Sequence, residues 1–185
     1  MALYQNTSVN TTKLILGNYK IETSATAGGT YVNLGAGMVN NFAHEITVYD
    51  VQAGNAPDPV EGIALETFTV SFDLIEYDAS SLAAISGGGM ASTSTSVLST
   101  LDAGGNTVIT PQAFKFTNTR MVSGATKETV ITVYKATMSA GLSITAKSDN
   151  DSDPINVIPI TVVGVVDGAR TAGSQLYKIT KALWT

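Results

Sequence analysis

From Glu66 to Leu74 the chain alternates without a break: Phe68, Val70, Phe72 and Leu74 take one side, and Thr69, Ser71 and Asp73 take the other. A period of two puts successive side chains on opposite faces of a strand, so this segment predicts a sheet with one buried and one wet face. On a helix the same residues would scatter around the circumference and bury nothing continuous. Similar runs recur at Leu14–Glu22, Phe42–Val51, Ala113–Thr117, Thr129–Met138 and Leu176–Ala182. Asn156–Val166 is more continuously apolar and reads as a strand covered on both faces, with Pro159 marking an edge or a bulge because it cannot donate to a ladder. Strands of this number and spacing predict an all-β fold.

One short helix interrupts the pattern. Asp78 is placed to cap a segment covering about residues 79–86, in which Leu82 and Ile85 share a face, and Gly87-Gly88-Gly89 ends it. The helix flanks the sheet and covers an open face or edge. The remainder reads as long loops: a polar arm at about residues 1–12, Gln52–Pro59, Gly87–Asn106 with a weak strand at Ser96–Leu101, and turns at Asp149–Pro154 and Asp167–Ser174. With 185 residues and no internal repeat, residues 1–185 read as a single domain.

Charge is unevenly placed. From Ile21 to Phe114 there is no Lys or Arg, yet ten acids: Glu22, Glu45, Asp50, Asp58, Glu61, Glu66, Asp73, Glu76, Asp78 and Asp102. All ten basic residues lie outside that stretch, although the net charge is −5. The acidic balance argues against a general nucleic-acid binder, which needs basic surface for phosphates. The segregation predicts one acidic and one basic surface, an arrangement that favours head-to-tail contact between identical subunits; the bland alternative is that the charges are solvated and scattered. The opening Met1–Asn6 predicts no signal peptide, and no apolar run reaches membrane-helix length, so no membrane insertion is expected.

Residue types that carry chemistry are scarce. There is no Cys, and His44 is the sole His, so no His/Cys metal site can be built. In an alternating strand such a His is more often packed or exposed than catalytic. No nucleophile elbow or phosphate-binding glycine loop is present. Asp149-Asn150-Asp151-Ser152-Asp153 begins like a calcium loop but continues with Pro154 and has Ile160 where the bidentate Glu belongs, so it reads as a turn. Glu76 and Asp78 form a carboxylate pair better explained as a strand-end charge and a helix cap. No cofactor and no catalytic role are expected.

The order of these pieces resembles the tail tube (major tail) proteins of long-tailed bacteriophages. Leu14–Ile21 is similar to the family's opening strand, and Thr30–Gly35, ending Asn33-Leu34-Gly35, to an early segment ending in Leu-Gly. Thr67–Leu82, through Ile75-Glu76-Tyr77-Asp78, resembles its strand-to-helix junction; Pro154–Asp167 followed by Leu176-Tyr177-Lys178-Ile179 resembles its closing strands. The loop Gly87–Asn106 has no counterpart in that pattern. The resemblance implies a β-sandwich or closed β-barrel of antiparallel strands with one flanking helix, in a structural virion protein that assembles with itself into stacked rings, often hexameric, around a β-lined channel for the genome. It further implies synthesis in the host cytoplasm, other tail proteins (terminator, tape measure, baseplate or tip) as partners, and DNA that passes without being bound.

Within that reading, Glu45, Asp50, Glu66, Asp73 and Glu76 are the candidate lumen or charge-complementary acids, and Lys115, Arg120, Lys127 and Arg170 the candidate inter-subunit cations. Other readings stay open: a head–tail completion or decoration protein, the tube of a bacterial injection system, or a carbohydrate- or ligand-binding β-sandwich. The last normally displays an aromatic platform, whereas aromatics here are 7% of residues and Trp184 is the single Trp.

Overall fold

The computed structural model describes residues 18–51, 60–75, 78–95, 98–105, 108–122, 125–139, 141–144 and 157–181. It contains strands β1 (Tyr19–Ser24), β2 (Val32–Val51), β3 (Val60–Leu74), β4 (Met90–Ser94), β5 (Ser99–Ala103), β6 (Gln112–Val122), β7 (Ala125–Met138), β8 (Ile158–Gly164) and β9 (Tyr177–Lys181), with one helix, α1 (Ala79–Ile85), between β3 and β4. The Leu14–Gly17 part of the expected first strand, the Asp149–Pro154 turn, Glu76, the residue 1–12 arm and Trp184 lie outside the described residues.

The hydrogen-bonded order is β6-β1-β2-β3-β8-β7, and β7 pairs back onto β6. Every pairing is antiparallel. The closing β7–β8 contact is short, joining only Ala136–Met138 to Val162–Gly164. The ring is therefore sandwich-like, not a clean barrel. β9 pairs with β7 along Thr129–Val133, on the stretch of β7 that β8 does not reach.

The interior is filled by alternate residues of each strand. Ile21, Val70, Phe72, Leu74, Phe114, Phe116, Val133, Ile158 and Val162 are fully or almost fully buried. Phe116 meets Phe42 edge-on at 5.5 Å and Phe72 at 5.4 Å between ring centroids. Burying each such ring contributes about 1.5–3 kcal/mol. Gly37 marks a tight crossing: it pairs with both Tyr19 and Leu74, and a Cβ there would lie 2.6 Å from Ile21 Cδ1 and 2.8 Å from the Asp73 carbonyl oxygen.

The helix is where the sequence predicts it. Asp78 accepts the Ser81 N–H at 2.7 Å and the Ser80 hydroxyl at 2.8 Å, which holds its carboxyl below the usual carboxylate range. Leu82 and Ile85 pack into the core. Three expectations need correcting. Met90–Ser94 pairs with Ser99–Ala103 as a β4–β5 hairpin, so of the expected single weak strand at Ser96–Leu101 the part Ser99–Leu101 belongs to β5, while residues 96 and 97 lie outside the described residues. β8 alternates buried Ile158, Ile160 and Val162 with exposed Pro159 and half-buried Thr161 and Val163, so it is not covered on both faces. β2 extends back to Val32, well before Phe42, because its first residues pair with β1. Pro159 does sit where β8 has a strand on one edge only, since β7 pairs no further down than Val162.

Candidate assembly surface

β2 and β3 outrun the strands beside them. β1 pairs with β2 no further than Gly37, and β8 pairs with β3 no earlier than Phe68. Beyond His44 and Phe68 the two strands pair, among the described residues, only with each other, up to Val51 opposite Val60. They form an arm projecting from one end of the sandwich. The parity that fills the core with Phe42, Val70 and Phe68 continues along it as Ile46, Val48 and Ile63, no longer covered. Val48 is 54% and Ile63 60% exposed, and with Ile46 and Gly62 they line a shallow apolar hollow. On the other side Leu65 and Tyr49 are also exposed. The Tyr49 ring lies against Gly62, where a Cβ would come within 2.6 Å of its Cζ. Isolated exposed apolar residues are ordinary, but a contiguous set on a projecting ladder is the signature of an interaction surface.

At the root of the arm three polar groups meet. His44 Nε2 lies 2.8 Å from Glu66 Oε1, and the Tyr177 hydroxyl lies 3.3 Å from His44 Nδ1. In the neutral ring, Nε2–H donates to the carboxylate and Nδ1 accepts from the hydroxyl. Tyr177 also stacks on Phe68 with centroids 4.0 Å apart. Together these contacts fasten β9 to β2 and β3 just beyond the end of β8. A small cavity of about 210 Å³, lined by His44, Glu66 and Gly173–Tyr177, opens here. Ser174 donates its hydroxyl to the Thr171 carbonyl, so it is not directed at His44 as a nucleophile.

The opposite face of the β2-β3-β8 wall is hydroxyl-rich and acidic. Thr67, Thr69, Ser71 and Thr161 share it with Glu45 and Asp73, and no Lys or Arg occurs on these strands. Ser71 and Thr161 touch through their hydroxyls at 3.2 Å, and Asn40 donates to Asp73 at 3.0 Å.

Of the candidate acids, the structure places Glu45, Glu66, Asp73 and the backbone of Asp50 on this one pair of strands, and Glu66 is engaged with His44. The candidate cations are not gathered in the same way. Lys115 is 2.7 Å from the buried Glu22 and lies over the Tyr31 ring. Arg170 is 3.2 Å from Asp167 and its guanidinium lies 3.5 Å above Tyr134. Lys127 is half-buried near the β6–β7 turn, and Arg120 lies opposite it in the ladder. Lys135 of β7, 2.9 Å from Asp167, and Lys178 and Lys181 of β9 are also exposed at the surface.

Among the described residues no group of three His, Asp or Glu is placed to hold a metal ion, and no helix is long and apolar enough to cross a membrane. No family model matches the chain, and no curated protein matches it. Among solved structures it is similar to the cap of the anti-feeding prophage, a tube-terminating cap seen by cryo-EM, at 7% identity. The alignment covers 97% of this chain and 100% of the cap, with a TM-score of 0.45.

Proposed function

We propose that this chain is a structural subunit of a phage-type tail tube, which assembles with copies of itself into stacked rings around a channel for DNA. The observation that carries the reading is the β2–β3 arm. A stable solitary domain has no use for a ladder that takes Ile46, Val48, Ile63 and Leu65 out into water. Such a ladder is explained if a neighbouring subunit covers it. The order of sequence segments similar to tail tube proteins gives the same reading independently, and with it the hexameric ring, the terminator, tape-measure and baseplate partners, and a place in the virion.

The hydroxyl-rich wall supplies the second half of the argument. A conduit for DNA must repel phosphates enough to let them slide, and Glu45 and Asp73 among Thr and Ser side chains do that where cations would retain them. Tube assembly needs no catalysis, and His44 and Glu66 are engaged in tying β2, β3 and β9 together.

The deciding experiment is negative-stain electron microscopy of the purified chain at high concentration. Hollow tubes or stacked rings are expected. Single rings that never stack would indicate a completion protein. A uniform monomer at every salt and protein concentration would remove the assembly reading altogether.

A further inference from the structure

We infer that His44 is a proton-operated latch: protonation of its ring draws β9 tighter onto the root of the β2–β3 arm, and deprotonation slackens the same joint. The latch belongs to the single chain, whether or not copies assemble. β9 is hydrogen-bonded as a strand to β7, from Thr129 opposite Lys181 to Val133 opposite Tyr177. Across the gap to β2 and β3 it is joined by side chains. Tyr177 stacks on Phe68, its hydroxyl lies 3.3 Å from His44 Nδ1, and His44 Nε2 lies 2.8 Å from Glu66 Oε1. One imidazole thus ties three strands together at the point where the arm leaves the sandwich.

The two ring nitrogens fix what a proton does here. In the neutral ring Nε2–H donates to the Glu66 carboxylate and Nδ1 accepts from the Tyr177 hydroxyl. An added proton goes to Nδ1, the one lone pair left. The bond to Tyr177 then reverses: Nδ1–H donates, and the hydroxyl, free to rotate, accepts. Both contacts become charge-assisted, and such bonds are shorter and roughly twice as strong as neutral ones. From β3 the ring faces the Glu66 carboxylate, and from β9 the Tyr177 hydroxyl, with Lys181 four residues along the same side of that strand. Its neighbours on the same face of β2 are Phe42 and Ile46, and Gly173, Ser174, Gln175 and Leu176 beside it carry no charge. The His44 and Glu66 side chains are 28% and 39% exposed, so protons reach them from solvent. Imidazole is the side chain whose charge ordinarily changes between about pH 5 and 8. The segment leading into β9 is anchored at its other end by Asp167. There the Lys135 hydrogen bond, the Ala169 N–H and the Arg170 charge hold the carboxyl below the usual carboxylate range, so that anchor stays ionised throughout. Mild acid therefore tightens one end of this strap and leaves the other unchanged.

His44 is the sole His, so the imidazole nitrogen NMR spectrum of the labelled chain reads one ring. The unassembled chain is titrated at low concentration from about pH 8 to about pH 5.5, beside His44→Gln, which stays neutral. Amide exchange along β9 is followed in both, corrected for its intrinsic pH dependence. At the alkaline end the ring proton is expected on Nε2. On acidification, protection of the β9 amides is expected to rise about fivefold in wild type, in step with the ring signal, and to stay level in His44→Gln. A ring proton on Nδ1 at the alkaline end, a level wild type, or an equal rise in His44→Gln would each overturn the inference. Should His44→Gln not fold, Glu66→Gln replaces it: a smaller rise than in wild type is expected, and an undiminished one overturns the latch. Because the chain is read unassembled, failure of the latch leaves the tube reading intact, and failure to form tubes leaves the latch intact.

Discussion

Tyr177 and Phe68 stack with ring centroids 4.0 Å apart and an interplanar angle of 21°, joining β9 to β3 at the point where β8 has ended. The contact supplies across a gap what a ladder supplies elsewhere. Tyr177→Ala is expected to cost about 2 kcal/mol, combining the lost ring pair with part of its burial. Tyr177→Phe keeps the stack, gives up only the bond to His44, and is expected to cost less than about 1 kcal/mol. Urea denaturation measures both. Amide exchange adds a local readout: protection along Tyr177–Lys181 should fall in the Ala variant and hold in the Phe variant.

Glu22 is the nearly buried carboxylate of β1, 2.8 Å from Lys20 and 2.7 Å from Lys115. Burial works to raise its pKa, but the hydrogen bonds and charges of Lys115 and Lys20 outweigh it and hold the carboxyl below its ordinary value. A carboxylate depressed on folding stabilises the native state above the unfolded pKa, about 4.3 for Glu. That contribution is lost as pH falls through the folded value. Wild-type stability should therefore drop on acidification below about pH 4.5, and Glu22→Gln should be weaker at pH 7 with a flatter acid limb. Parallel acid limbs for the two proteins would show that the Glu22 pairs contribute nothing to the pH dependence.

The strands were legible because burial on one face writes period two into the sequence, most plainly in Phe68–Leu74. Asp78 and the triple glycine made α1 equally plain, since cap chemistry is local. What a strand pairs with is not local. Phe42–Val51 reads as one amphipathic strand throughout, yet Phe42 is packed against the core and Val48 is in water, because β1 and β8 stop and β2 does not. The charge split survived folding in part: the acids of β2 and β3 share one region, while Lys115 and Arg170 are engaged by Glu22 and Asp167. The aligned residues His44, Glu66 and Tyr177 are 22 and 133 positions apart in their two contacts, a distance over which single-sequence patterns carry no information.

Gly37 and Gly168 make a matched pair of tests. At Gly37 a methyl group would meet Ile21 Cδ1 at 2.6 Å and a backbone oxygen of β3 at 2.8 Å, and the backbone cannot withdraw without breaking the β2–β3 ladder. Gly37→Ala is expected to destabilise by about 1–3 kcal/mol, the usual cost of overpacking. At Gly168 a Cβ meets nothing within 4 Å and the backbone is not in the left-handed region. Gly168→Ala should be neutral or stabilise by up to about 1 kcal/mol through the unfolded chain. Thermal melts of the two variants settle the contrast; equal behaviour would mean that the crossing at Gly37 relaxes freely.

The acidic wall of β2, β3 and β8 carries the last prediction. If Glu45 and Asp73 face a channel, assembled wild-type protein should let double-stranded DNA pass or wash out at low salt. A variant carrying Glu45→Lys and Asp73→Lys should retain it. Retention should weaken steeply as salt rises, since each phosphate neutralised contributes about −0.9 to the slope of log affinity against log salt. Asp73 also accepts the Asn40 side-chain bond at 3.0 Å, so the melt of the variant must be recorded beside its DNA retention. Asp102→Lys, on the exposed β5 strand of the separate hairpin, is the control for added positive charge as such. Retention in the wall variant with none in the control places Glu45 and Asp73 on the path of the DNA. Equal washing-out of both variants would mean that this face looks away from the channel, and the hydroxyl-rich wall would then be outer surface.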